Sequence, residues 1–201
     1  METNGRLQHP FTCLIAGPTG CGKSYFVIKL IQANFIEPPP ERIVWCYSEW
    51  QYLYTTIQGV EFVDGLHFES DPQKRTLVII DDLMHETNEK VTKLFTKGSH
   101  HGNLSVIYLV QNLFGKNKEL RTISLNTHYM IVFKNPRDGS QITHLAKQMF
   151  PRNVKYLQEA FTDATSTPHG YLLVDLKQET PDHIRLRTNI LNHFQTVYIQ
   201  R

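Results

Sequence analysis

The stretch that most constrains this chain is Gly17-Pro18-Thr19-Gly20-Cys21-Gly22-Lys23-Ser24, which fits G-x-x-x-x-G-K-[ST] and follows the apolar run FTCLIA. An apolar strand that enters a glycine-rich turn and leaves it as a helix belongs to the α/β class. Glycines let the backbone curl so that successive N–H groups point inward at phosphate oxygens. The helix N-terminus adds favourable partial charge for the same anion. Gly17, Pro18, Thr19, Gly20, Cys21, Gly22, Lys23 and Ser24 are therefore the expected phosphate cradle of a nucleotide such as ATP. Lys23 reaches the β- and γ-phosphates, and the Ser24 hydroxyl is a ligand for Mg²⁺.

With 201 residues and 40% hydrophobic content, the chain has enough apolar surface for one substantial core. The expectation is a single domain over residues 1–201, with 1–10 as a flexible polar lead-in and 168–201 as a C-terminal hairpin extension. A formal net charge of +2 is too small for a bulk positive field, so any nucleic-acid contact must come from a local patch or from several subunits together. Three cysteines, Cys13, Cys21 and Cys46, form no C-x-x-C pair, which argues for a reducing compartment and against a disulfide framework or zinc module. No apolar run approaches membrane-spanning length, so a soluble intracellular protein is expected. The ten histidines show no helical i, i+4 pair with a nearby acid, the pattern of a metal site.

Periodicity predicts a helix over 23–35, stopped by the prolines at 38–40, then a buried strand over 43–47. A short helix over 49–57 and a short strand over 60–63 follow. Residues 76–80 (TLVII) are apolar without alternation, as in a central parallel strand covered on both faces, and run into Asp81-Asp82. A helix is predicted over 86–95. LSVIYLV at 104–110 is a second such strand, ending at Gln111, and THYMIVF at 127–133 a third. Helices are predicted over 140–149 and 153–164. The strands at 171–176 and 184–190 read as an antiparallel hairpin. In the latter, His183, Arg185 and Arg187 alternate with apolar neighbours to form a basic face. Strands alternating with helices imply right-handed βαβ units and a mainly parallel sheet with helices on both faces.

Hydrolysis of a nucleoside triphosphate needs a phosphate cradle, a metal, a positioned water and neutralisation of spreading charge. Asp81, at the C-terminal tip of an apolar strand, suits a Mg²⁺ site together with Ser24. Asp82 suits the acid that polarises the attacking water. Gln111, ending another buried strand, falls at the same carboxyl edge, where its amide can orient the water or sense the γ-phosphate. A helix and the strand at 43–47 separate loop and acid pair in the chain; an additional strand between the two active-site strands is the arrangement of RecA-like motors. The nearest approach to a guanine-reading N-K-x-D is Asn117-Lys118-Glu119-Leu120, and leucine cannot accept from a guanine ring.

With loop, acid pair and Gln111 in place, the sequence resembles the FtsK/HerA-type genome-packaging ATPases of double-jelly-roll DNA viruses and Maverick/Polinton elements, the poxvirus-like packaging ATPases among them. The strings that carry the resemblance are GPTGCGKS, LVIIDDLM, KGSHHGNLSVIYLVQNLF, LRTISLNTHYMIVFKNPRDGSQI and, more weakly, HGYLLVDLK with RLRTNI. It implies a RecA-like (ASCE) P-loop ATPase that forms a homo-oligomeric ring and threads double-stranded DNA into a preformed capsid, with capsid or portal-vertex proteins as partners. Gln111 matches the glutamine ending that superfamily's fourth core strand. The commoner acid pair there is Asp-Glu, one methylene longer than Asp81-Asp82. Relatives often carry arginine just before the Gln111 strand, where Ser99-His100-His101-Gly102 has none. The arginine that reaches into a neighbour's site is then Arg121 or Arg137, both within matching strings. DNA contacts are expected at residues 97–101 or on the Arg185/Arg187 face. Two other classes are open: a small-molecule P-loop kinase, which gives Gln111 no role, and a nucleotide switch that binds without translocating.

Overall fold

The computed structural model describes residues 5–81, 83, 89–98, 103–114 and 118–200. In chain order these form β1 (Leu7–Gln8), β2 (Thr12–Ala16), α1 (Lys23–Gln32), β3 (Ile36–Glu37) and β4 (Arg42–Tyr47), then a 3₁₀ turn (Tyr52–Thr56), β5 (Glu61–Asp64) and β6 (Thr76–Asp81). After α2 (Glu89–Lys93), which runs into a π-helical turn (Leu94–Gly98), come β7 (Leu104–Val110), α3 (Lys118–Leu125), β8 (Tyr129–Phe133), α4 (Ser140–Met149) and α5 (Val154–Ala164). The chain closes with β9 (Tyr171–Asp175), a 3₁₀ turn (Asp182–Ile184), β10 (Leu186–Thr188) and β11 (Thr196–Tyr198).

Nine strands form one sheet in the order β11-β10-β9-β8-β2-β7-β6-β4-β5. The six from β8 to β5 are parallel, and β9, β10 and β11 add on antiparallel. The uninterrupted apolar runs follow from burial on both faces. Leu14, Val78, Ile80, Val106 and Tyr108 face one core, closed by α2, α3, α4 and α5. Cys13, Ile15, Leu77, Ile79 and Ile107 face the other, closed by α1 and the turn that carries Tyr54. The strand between β2 and β6 is β7, which follows both in the chain, whereas the 43–47 strand expected to separate them lies beyond β6 as β4. The RecA-like order holds, with the inserted strand being the one that ends at Gln111.

Several predicted boundaries move, each for a local reason. The first helix ends at Gln32 instead of residue 35, because Asn34 takes a left-handed conformation (φ 49°). Asn34 N–H then donates to Ile31 O (3.0 Å) and Phe35 N–H to Leu30 O (3.1 Å), a Schellman closure that ends the helix before the prolines. The segment at 49–57 is one 3₁₀ turn, not an α-helix. The strand predicted at 60–63 begins at Glu61 and includes Asp64, and of the helix predicted at 86–95, residues 86–88 lie outside the described residues. Residues 5–10, expected to be flexible, are tied down. Leu7 is fully buried, β1 pairs with β3, and the His9 ring hydrogen-bonds Ser105 Oγ (2.6 Å) and Asn103 Oδ1 (2.9 Å). The C-terminal hairpin is part of the main sheet through β9 on β8, and it gains a third strand, β11.

The basic face on the last hairpin does not form. β10 begins at Leu186; His183 lies in the 3₁₀ turn and Arg185 follows in a helical backbone conformation, so the first two members of the alternation are not on a strand. Arg185 donates to Asp182 Oδ1 (2.7 Å) and to the carbonyls of Lys177 (2.7 Å) and Asp175 (3.1 Å). Arg187 is 5% exposed, paired with Asp175 Oδ2 at 2.9 Å and donating to Gly5 O at 3.0 Å. Both guanidiniums are consumed inside the protein. Arg187 holds the C-terminal strands to each other and to the start of the described chain.

Candidate functional site

The parallel strands deliver their carboxyl ends to one edge, and the phosphate loop sits there because β2 stops at Ala16. Gly17 N–H still donates to Val110 O of β7 (3.1 Å), so loop and β7 leave the sheet together. A side chain at Gly17 has no room: a Cβ there would lie 2.6 Å from Cys21 Sγ and 2.8 Å from Phe133 Cβ. Gly20 and Gly22 take φ of 79° and 106°, the left-handed region in which only glycine is unstrained. Gly22 caps α1 without a side-chain hydrogen bond, which leaves the first-turn N–H groups directed at an anion. Lys23 Nζ donates to the carbonyls of Gly17 (2.7 Å) and Pro18 (3.2 Å), which hold the ammonium across the loop.

Asp81 ends β6, level with Leu109 on β7, and is 4% exposed. Its Oδ2 accepts from Ser24 Oγ at 2.9 Å, joining the acid strand to α1. The same oxygen accepts from Tyr54 OH at 2.9 Å. Lys23, Ser24, Asp81 and Gln111 line one cleft of about 220 Å³, with Tyr25 and Gln51 at its wall. These four expected residues are brought together. Gln111 also borders a small groove shared with Gly17, Asn135 and Asp138, so it stands between the loop and the segment after β8. Asp82, the expected water-polarising acid, lies outside the described residues, as do positions 99–101 of the expected DNA-contacting segment.

Arg121 and Arg137 are exposed, and neither lines the cleft. Arg121 is on α3, three residues after its first; Arg137 is in the turn after β8, at the same sheet edge as the phosphate loop, with its N–H donating to Asn135 Oδ1 (3.1 Å). Next to it, Gln141 ties three segments. Its Oε1 accepts from Leu113 N–H (2.6 Å), and its Nε2 donates to Asn112 Oδ1 (3.0 Å) and Asp138 Oδ2 (2.8 Å). Hydrogen bonds from Ser140, then Gln141, hold the Asp138 carboxyl below the usual carboxylate range. The Gln111 segment and the Arg137 turn are thus braced against each other.

Sequence reasoning missed Tyr54, Gln141 and His169, whose Nδ1 lies 3.0 Å from Cys21 O. Tyr54 lies outside every string singled out above, while Gln141 and His169 fall within LRTISLNTHYMIVFKNPRDGSQI and HGYLLVDLK without a role being read for them; each reaches the site from a distant segment. For Tyr54 the signal was the aromatic density of 45–54 (WCYSEWQYLY), excessive for a simple loop. Of the cysteines, Cys13 and Cys46 are buried, and burial pushes the Cys46 thiol up to about 12. Burial also raises Cys21, opposed by the Lys23 ammonium and by the Lys23 and Cys21 N–H groups. The site offers the hydroxyl and carboxylate oxygens that suit Mg²⁺, which leaves its remaining positions to phosphate and water. Among the described residues no cluster of three or more His, Cys, Asp or Glu could hold a metal without them.

A mainly parallel sheet with β7 between loop strand and acid strand, and a phosphate loop sharing a cleft with Asp81 and Gln111, define the P-loop NTPase fold in its RecA-like topology. Solved structures of similar fold include viral genome-packaging ATPases. The genome packaging NTPase B204 from Sulfolobus turreted icosahedral virus 2 in complex with ATP-gammaS superposes with a TM-score of 0.53 at 14% identity, over 85% of this chain and 94% of that one. The same protein in complex with AMP gives 0.56 at 15%, over 88% and 96%. B204, the DNA-packaging ATPase from Sulfolobus turreted icosahedral virus, gives 0.56 at 12%, over 85% and 94%. In sequence, the chain is 29% identical over 134 residues, 57% of its length, to packaging protein 1 of human adenovirus F serotype 40. Against packaging protein 1 of human adenovirus B serotype 7 it is 30% identical over 131 residues. The matches span 30% and 29% of those two relatives' lengths. No protein-family model matches the chain. Among the described residues no helix is long and apolar enough to cross a membrane.

Proposed function

We propose that this chain is an ATP-hydrolysing motor that moves double-stranded DNA into a preformed viral capsid. The observation that carries the reading is the convergence of Lys23, Ser24, Asp81 and Gln111 on one cleft, with the Gln111 strand lodged between the loop strand and the acid strand. A kinase for a small metabolite needs the loop and the acid but not that glutamine.

The loop N–H groups and the start of α1 take the phosphates, and Lys23 exchanges its carbonyl partners for phosphate oxygens. Ser24 and Asp81 would hold Mg²⁺, which would supply charge neutralisation to the phosphates. Asp82 draws a proton from the attacking water, and Gln111 orients that water or senses the γ-phosphate. Arg121 or Arg137 of a neighbouring copy completes the charge, so the working form is a homo-oligomeric ring. Arg137 gains support from its place at the sheet edge of the site. An arginine supplied this way is worth ~10³–10⁵ in turnover, so a monomer is nearly inert. With Arg185 and Arg187 consumed internally, DNA is gripped through phosphates by other residues, without reading bases. The site of action is the infected host cell, in nucleus or cytoplasmic assembly site, against capsid or portal-vertex proteins.

The test is ATP hydrolysis per protomer across protein concentration, with and without duplex DNA. Turnover is expected to rise with both, and Lys23→Ala to abolish it. Turnover that is constant per protomer and indifferent to DNA overturns the motor reading.

A further inference from the structure

Tyr54 reaches the Mg²⁺-side carboxylate from outside every motif. It sits in the 3₁₀ turn after β4, is 1% exposed, and its OH donates to Asp81 Oδ2. Its ring is gripped by aromatics: stacked on Phe62 (5.1 Å, 27°), and tilted or edge-on to Trp45 (5.2 Å), Trp50 (5.5 Å) and Tyr47 (5.7 Å). A ring so enclosed has one place for its hydroxyl, which makes the donor to Asp81 fixed instead of adaptable.

Asp81 Oδ2 thus receives two hydroxyl protons, from Ser24 and from Tyr54. A serine hydroxyl carries one proton and two lone pairs. While its proton is spent on Asp81, the lone pairs of Ser24 are left for a cation. That orientation lasts only while Asp81 keeps its side-chain conformation, and the Tyr54 hydroxyl on Oδ2 opposes its rotation. We propose that Tyr54 is a positioning residue for Mg²⁺: it locks Asp81, which turns the Ser24 hydroxyl's lone pairs toward the metal. The inference rests on reading the cleft as a Mg²⁺–triphosphate site. Groups that hold a metal's supporting residues typically govern 10–100-fold in metal affinity.

Both of the chain's tryptophans, Trp45 and Trp50, lie against the Tyr54 ring, so their emission reports on it. The test is a tryptophan-fluorescence titration with the non-hydrolysable analogue AMPPCP, first in EDTA and then with increasing Mg²⁺, on wild type, Tyr54→Phe and Phe62→Leu. In EDTA, Tyr54→Phe is expected to bind the analogue within about twofold of wild type, which also verifies its fold. Its Mg²⁺ half-saturation is expected to rise ~10–100-fold. Phe62→Leu removes one of the four rings around Tyr54 but keeps the hydroxyl and leaves Trp45, Trp50 and Tyr47 to hold it in place, and is expected to leave Mg²⁺ half-saturation within about twofold while lowering the melting temperature. An unchanged Mg²⁺ requirement in Tyr54→Phe, or an equal shift in Phe62→Leu, overturns the proposal and leaves the nucleotide site standing. A wild-type chain that takes no nucleotide in either condition overturns both.

Discussion

Replacing Arg187 by methionine tests where the strongest internal electrostatic contact lies. The Arg187–Asp175 pair has side-chain exposures of 7% and 6%, with N···O at 2.9 Å, and Arg187 also satisfies Gly5 O. Methionine keeps the length and the packing but takes the guanidinium from a buried carboxylate, which retains the Lys177 N–H on Oδ1, and from the Gly5 carbonyl. Breaking one side of a buried pair costs about 3–5 kcal/mol. For a chain of this size that lowers the melting temperature by roughly 6–20 °C. Adding Asp175→Asn removes the unpaired charge and should recover at least half of the loss. Thermal unfolding by circular dichroism at pH 7 measures both. A variant that melts within ~2 °C of wild type while losing DNA affinity would refute the argument, because Arg187 would then be facing a partner.

Other outcomes follow from single contacts. Gly17→Ala forces a Cβ against Phe133 Cβ and Cys21 Sγ, and should weaken ATP-analogue binding at least ~10-fold by fluorescence or calorimetry. Gly139→Ala, where a Cβ meets nothing within 4 Å and φ is −77°, should leave binding unchanged and stability equal or up to about 1 kcal/mol higher. At pH 8, iodoacetamide should modify only Cys21 in the native protein. Its rate should climb with pH, since a raised thiol has little thiolate there, and ATP analogue should protect it. Cys13 and Cys46 should react only after denaturation. Because Asp138 is held below its unfolded value, its hold on Gln141 is present above the ordinary carboxylate range and is lost as pH falls through the depressed value. An NMR titration of the Gln141 side-chain amide should show that loss.

What could be read from the residues was what is contiguous. The phosphate loop, the apolar run into Asp81 and the strand into Gln111 each announce themselves within ten residues, because a buried parallel strand is apolar throughout and a phosphate turn needs its glycines in place. The helix at 140–149 matched to the residue. Contacts across the chain were not legible. Nothing in Tyr54 tells that it will face Asp81 27 residues later, and nothing in Gln141 that it will receive Leu113 N–H. The Arg185/Arg187 alternation misled because period two implies an exposed face only while a strand persists, and β10 spans just three residues. The β11 strand, Thr196–Tyr198, is too short for any period to show.

The latch of His9 on Asn103 and Ser105 bears on how this molecule would carry mechanical load. It fastens the start of β2 to the start of β7, at the amino end of the sheet, while the phosphate loop leaves the carboxyl end. A pull on β2 from its amino end would act on the side of the sheet away from the phosphate loop. That strand is hydrogen-bonded on both flanks, to β7 and β8, so tension would load two ladders in shear together instead of opening one bond by bond. The strand that leads into the phosphate loop is thus held along both edges, so a displacement at a bound nucleotide would pass to the opposite end of the sheet with little lost to stretch.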